Sequence, residues 1–104
     1  MLEYVKKELL AMLRIIREDH PRHILVTIEG WLTADFVETA ESTCDEALLT
    51  DVPVTVFLND VVEIDTDGRA FLARMLRKKA QLRAVGIYGR YMVRKLQSKI
   101  DLQD

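Results

Sequence analysis

The sequence predicts an α/β domain: a mixed four-stranded sheet in the order ββαβαβα, with its helices mainly on one face and a short helical segment in front. Three observations carry this expectation. Short apolar runs rich in β-branched residues recur along residues 13–19, 23–29, 54–58 and 84–88. Between and after them lie stretches at 34–49, 69–82 and 90–100, whose apolar residues return every three or four positions. Finally, strand–helix–strand order calls for parallel pairing through right-handed crossovers, whereas the turn at His20-Pro21-Arg22 joins the first two strands antiparallel.

Each element has its own signature. Residues 1–11 form an N-terminal extension in which Leu2, Val5 and Leu9 step at helical spacing, and residues 12–104 form a single domain. In the first strand Ile15 and Ile16 stand between Arg14 and Arg17; in the second, Ile24, Val26 and Ile28 alternate with Leu25, Thr27 and Glu29. Gly30-Trp31-Leu32 breaks that strand, and Thr33 caps an acidic helix with the apolar stripe Phe36, Val37, Ala40, Cys44, Ala47 and Leu48. Pro53 introduces the third strand, which passes into an acidic loop ending Asp65-Thr66-Asp67-Gly68. Asp65 or Thr66 is the natural N-cap of the next helix, which buries Phe71, Leu72, Met75 and Leu76. The last helix turns Met92, Val93, Leu96 and Ile100 inward. With sequential strand order all helices fall on one face, leaving Ile16, Leu25 and Phe57 on the other, to be covered by the N-terminal segment or by a second copy of the chain in a homodimer.

At 104 residues, 49% hydrophobic and 31% charged, the chain has room for one core and not for two domains. The lone Cys44 excludes an internal disulfide framework, and its apolar helical neighbours make it a buried thiol. No run of membrane-spanning length and no signal-peptide pattern is visible, so a cytoplasmic location without membrane insertion is expected. The net charge of −2 conceals an asymmetry: residues 23–68 hold 11 Asp or Glu and no Lys or Arg, and residues 69–100 hold 10 Lys or Arg and no acid. Such a basic third can signal nucleic acid, but the overall charge speaks against it; the plainer expectation is that an acidic and a basic helix lie side by side and neutralise each other.

The order of Gly30-x-Leu32-Thr33 before an acidic helix, an apolar strand followed by Asp60-Val61-x-x-Ile64-Asp65-Thr66-x-Gly68, and Tyr88-Gly89 followed by Met92-Val93-Arg94-Lys95-Leu96 resembles the STAS domain family, over roughly residues 12–97. The family includes the anti-sigma factor antagonists. The resemblance implies a non-enzymatic, cofactor-free module of bacterial signalling and transcription regulation, whose partner is an anti-sigma factor of the serine-kinase type. It places the contact on Trp31, Asn59, Asp60, Asp65, Thr66, Asp67, Gly68 and Arg69. In regulatory members the hydroxyl next to the glycine accepts phosphate; here that position is Asp67, which cannot, and whose single charge compares with about 1.5 to 2 on a phosphate. Thr66 keeps a hydroxyl one position earlier and is the candidate phosphorylation residue. The sequence Asp-Thr-x-Gly is also similar to the STAS subunit of bacterial Mla-type ABC lipid transporters, which contacts an ATPase. The family continues with a further strand and helix that are missing here.

Other patterns in the same residues are weaker. Asp65-x-Asp67-Gly68 resembles the nucleophile motif of haloacid dehalogenase-type phosphatases, but Arg69 stands where that family wants Thr and no downstream acidic pair follows. Glu63-x-Asp65-x-Asp67-Gly68 opens like an EF-hand loop, yet its twelfth position is Arg74 rather than Glu. His20 and His23 read as solvated turn residues, and Arg74, Arg77, Lys78 and Lys79 as a solvated helix face. Trp31 is either a cover for the helix edge or an anchor for a partner, and Arg69 either a partner contact or a mate for Asp65 or Asp67.

Overall fold

In the computed structural model, which describes residues 2–103 and the side chains of 2–99, the chain forms β1 (Tyr4–Leu9), β2 (Leu13–His20), β3 (His23–Leu32), α1 (Ala34–Leu48), β4 (Val54–Ile64), α2 (Thr66–Arg77), β5 (Gln81–Ala84) and α3 (Ile87–Gln103). The five strands lie in sequential order, antiparallel from β1 to β3 and parallel from β3 to β5. Both parallel steps carry a helix, and α1, α2 and α3 pack in that order over one face of the sheet.

Strand alternation builds the core beneath those helices. Ile15 pairs with Ile28 and Ile28 with Leu58, while Val26, Val56 and Leu82 form a second row. These side chains are buried against Val37, Ala40, Cys44 and Ala47 of α1, Phe71, Leu72 and Met75 of α2, and Met92, Val93 and Leu96 of α3. The Cys44 thiol is buried as its neighbours imply, and burial pushes its pKa up to about 12. Ile100, expected to face inward, lies outside the described side chains.

Four features differ from the sequence expectation. The sheet has five strands, not four, because residues 4–9 pair antiparallel with β2 instead of forming a helix. The apolar spacing of Leu2, Val5 and Leu9 fits a helix over so few residues, but β2 would otherwise leave its outer edge without partners. As a strand, β1 turns Tyr4, Lys6 and Glu8 toward the helix side, where the Arg17 guanidinium sits 5.6 Å from the Tyr4 ring centre and donates to Asp19 at 2.7 and 2.9 Å. The N-terminal segment therefore widens the sheet and does not cross its open face. That face carries Ile16, Leu25 and Phe57, all half-buried, interspersed with Arg14, Glu18, Glu29 and Arg83.

Secondly, β3 does not break at Gly30 but runs on to Leu32. Gly30 has φ of +97°, and a Cβ there would overlap the Met12 carbonyl oxygen, the acceptor for the Trp31 amide at 2.7 Å. Thirdly, β4 extends through the expected loop to Ile64. Two register shifts against β3 absorb the extra residues, with Asp60 at φ of +62° in the first. Lastly, β5 is Gln81–Ala84 rather than residues 84–88. Its pairing with β4 ends at Leu58, whose carbonyl takes the Val85 amide, and Gly86 at φ of +88° then turns the chain, so Tyr88 belongs to α3.

Candidate functional site

The C-terminal ends of β3 and β4 meet the N-termini of α1 and α2, and Asp65 joins them. As N-cap of α2 it accepts the Gly68 amide on Oδ1 at 2.8 Å, and its Oδ2 accepts the Ala34 amide of α1, also at 2.8 Å. Thr33, expected to cap α1, has the right extended backbone but makes no side-chain cap bond; Asp65 does that work across 31 residues of chain. The amides of Gly68 and then Ala34 hold the Asp65 carboxyl below its ordinary range, with Arg69 adding a smaller pull. Both oxygens of Asp65 thus serve backbone amides, which is the role of a structural clip.

Gly68 owes its identity to closeness, not to an unusual dihedral. It is buried under β3, and a Cβ would overlap the Leu32 carbonyl oxygen and stand 3.0 Å from Ile64 Cγ2. The first turn of α2 therefore lies directly on the ends of two strands. Arg69 fixes it from outside, donating through Nη1 to the Ile64 carbonyl and through Nη2 to Thr66 Oγ1, each at 3.1 Å. It meets neither Asp65 nor Asp67 in a hydrogen bond among these contacts. Tyr88 completes the end of β4: its hydroxyl accepts the Ile64 amide at 3.2 Å and donates to the Ile64 carbonyl at 3.4 Å, tying the start of α3 to the same spot. The sequence singles out Tyr88 only as part of the Tyr88-Gly89 resemblance and places it in a strand, so this role is not legible there.

The structure brings Asp65, Thr66, Asp67, Gly68 and Arg69 together in one turn, with Thr66, Asp67 and Arg69 exposed. The other candidates stand apart from that turn. Asn59 is on the open face of the sheet, where Nδ2 donates to Glu29 Oε2 at 2.9 Å while Glu29 Oε1 lies 3.4 Å from Arg14 Nη1, a chain across three strands. Asp60 is exposed at the bulge of β4. Trp31, 37% exposed, pairs in register with Glu63 and alternates with buried Leu32, so it lies at the same end of the sheet but on the opposite face from the helices.

The two flanks of α2 complete the surroundings. Toward α1, Arg74 meets Glu41 in a two-pronged contact of 2.7 and 2.8 Å, and Lys78 Nζ is 2.8 Å from Asp45. The Arg74 hydrogen bonds hold the Glu41 carboxyl below its ordinary range. Toward α3 a groove of about 310 Å³ begins at Thr66 and Arg69 and continues past Arg77, Lys95 and Lys99. Among the described residues no three His, Cys, Asp or Glu side chains are grouped to hold a metal ion, and no helix is long and apolar enough to cross a membrane. No protein-family model matches the chain, and no curated protein matches its sequence at significant similarity.

Proposed function

We propose that the chain is a non-enzymatic protein–protein interaction module, similar to a STAS-type anti-sigma factor antagonist of bacterial signalling, which presents the first turn of α2 to its partner. What carries this reading is the Asp65 clip. It binds two helix N-termini at once and so holds Thr66, Asp67 and Arg69 outward on a rigid support, at the positions where the resemblance places the contact. Preorganisation of that kind favours binding, because less conformational entropy is lost when the partner docks. Asp67 supplies a fixed negative charge at the position of the family's phosphoacceptor, so the contact works without a phosphate switch.

A second reading, an accessory subunit of an Mla-type ABC lipid transporter, is favoured by one observation. The Thr66 hydroxyl is engaged by Arg69 in the exposed turn, an arrangement suited to a standing contact with an ATPase.

Affinity capture from native cell extract, with the whole chain as bait beside a Thr66→Ala/Asp67→Ala variant, tests both. An anti-sigma factor of the kinase type that the variant loses is the expected catch. Capture of an ABC ATPase replaces the first reading with the second. Absence of any partner that depends on the turn overturns both.

A further inference from the structure

The sequential strand order gives the sheet two outer edges, and they differ. β5 is four residues long and ends at Ala84, beyond which Gly86 turns the chain into α3, so it offers little to pair with. β1 is six residues long, has no proline and keeps an unbroken register with β2 from Tyr4 to Leu9. Among the described residues no strand pairs with its other side. Antiparallel ladders alternate. Leu10 donates its amide to the Leu13 carbonyl at 2.8 Å, so Tyr4, Lys6 and Glu8 exchange hydrogen bonds with β2, and Val5, Lys7 and Leu9 direct N–H and C=O outward. Glu3, ahead of the strand, also donates to Asp19, so the outward series begins at Val5. Val5 and Leu9 are 42% and 71% exposed, apolar residues on an edge that is open.

An outward row of backbone groups is completed by another strand, and the sequence of β1 suits its own copy. Laid antiparallel on a second chain about a two-fold axis at Lys7, β1 sets Lys6 opposite Glu8 and Val5 opposite Leu9, each twice, with the outward groups of all three odd residues in register. Lys6 already lies 3.3 Å from Glu8 of its own strand, so the pairing closes a ring of four alternating charges. An axis at Lys6 or at Glu8 instead faces that residue with its own copy and makes no opposite-charge pair. The cost of the favoured register is Lys7, which meets its own copy on the axis and lowers the affinity. The open sheet face is the other place for a second copy, but its charges are engaged within the chain, Arg14 with Glu29 and Glu29 with Asn59.

We propose that β1 is a dimerisation edge, which pairs antiparallel with β1 of a second copy through the backbone of Val5, Lys7 and Leu9. The axis stands perpendicular to the sheet, so the two sheets join into one with all helices on the same face. Both β1 edges are consumed, which closes the assembly at two copies. Because the strands run in opposite directions across the axis, the two Thr66 turns lie at opposite ends of the dimer. The inference goes beyond the interaction-module reading and does not rest on it, since β1 holds none of the residues assigned to that contact.

Sedimentation equilibrium of the whole chain over about 10 μM to 1 mM, the range of a weak interface, should show a reversible doubling of mass. NMR of mixed labelled and unlabelled chains should give contacts from Val5 of one copy to Leu9 of the other. Two substitutions at one position separate the backbone from the side chain. Lys7→Thr relieves like charge on the axis and should tighten the dimer about threefold. Lys7→Pro removes the outward N–H but no hydrogen bond to β2, and should abolish the dimer. Lys6→Glu and Glu8→Lys should each weaken self-association about tenfold, and mixing these two variants should restore it, since one then brings two acids and the other two cations. Circular dichroism checks the fold of each. A chain monomeric throughout that range, a dimer whose contacts fall on Ile16, Leu25 and Phe57, or a mixture of the charge variants no tighter than either alone would each overturn the proposal. So would an edge that takes an extended strand of another protein while the chain by itself stays monomeric.

Discussion

The two flanks of α2 carry the same kinds of residue and pack against their neighbours in different ways. Against α1, Arg74 and Lys78 find carboxylates at hydrogen-bonding distance, and Asp65 pins both helix N-termini. Against α3 the helices touch through alanine, methionine and leucine, with cations along both rims. Charge that is matched within the fold contributes to holding it together, and on the α3 side the cations border an apolar groove instead of facing a row of described carboxylates. The comparison teaches that a basic run cannot be classed as solvated or functional as a whole, since successive turns of one helix face different neighbours.

The largest expected effect breaks the tight end that both flanks share. Gly68→Ala should destabilise the fold by about 3 kcal/mol, because the added methyl must push α2 off the Leu32 carbonyl; urea unfolding measures it, and a loss under about 1 kcal/mol would show that the strand ends yield. Next comes Asp65→Ala, which removes a cap from each of two helices and should cost about 2 kcal/mol, seen as a fall in Tm of roughly 8 °C or more. Thr33→Ala, at the expected cap that makes no bond, should change little.

Acid sharpens the contrast between flanks. The folded pKa values of Asp65 and Glu41 lie below their ordinary 3.8 and 4.5, so their stabilisation is complete above those ordinary values and disappears as pH falls through the depressed ones. Stability should therefore drop on acidification in that range, and Asp65→Asn with Glu41→Gln should flatten the drop; an unchanged acid limb would place its cause elsewhere. Smallest are the exposed pairs. Glu41→Gln alone should cost about 0.5 kcal/mol and lose its effect in high salt. Lys95→Gln with Lys99→Gln should instead leave stability level or raise it by a few tenths of a kcal/mol, by relieving like charge along the groove. A loss of more than about 0.5 kcal/mol would mean that the Lys95 ammonium, 5.8 Å from the Tyr91 ring centre, contributes more than the like-charge relief gains.

Much of this architecture was visible in residue patterns with a local cause. The alternation in residues 23–29, the stripe of α1 with Cys44 in its middle, and Asp65 as one of two candidate caps of α2 all follow from periodicity or from one side chain reaching an amide three residues on. The paired acidic and basic helices were also legible, as an excess of charge on neighbouring elements. The features that escaped depend on chain segments far apart. β1 is a strand because β2 has an open edge, an influence stronger than six residues of ambiguous spacing. β4 outruns its expected end because bulges let it follow β3, and Asn59 is thereby directed to Glu29 on the open face and away from the turn.

The sequence by itself determined the class of fold, the order of β3, α1, β4 and α2, and the turn from Asp65 to Arg69, because hydrophobic periodicity and helix capping act within a few residues. Only the tertiary structure decided that Asp65 also caps α1, that Tyr88 closes the end of β4, and that Arg74 and Lys78 of α2 are the cations that meet Glu41 and Asp45 of α1. Those outcomes depend on which helix packs beside which, and that is set by crossovers across the whole sheet, which no local pattern encodes.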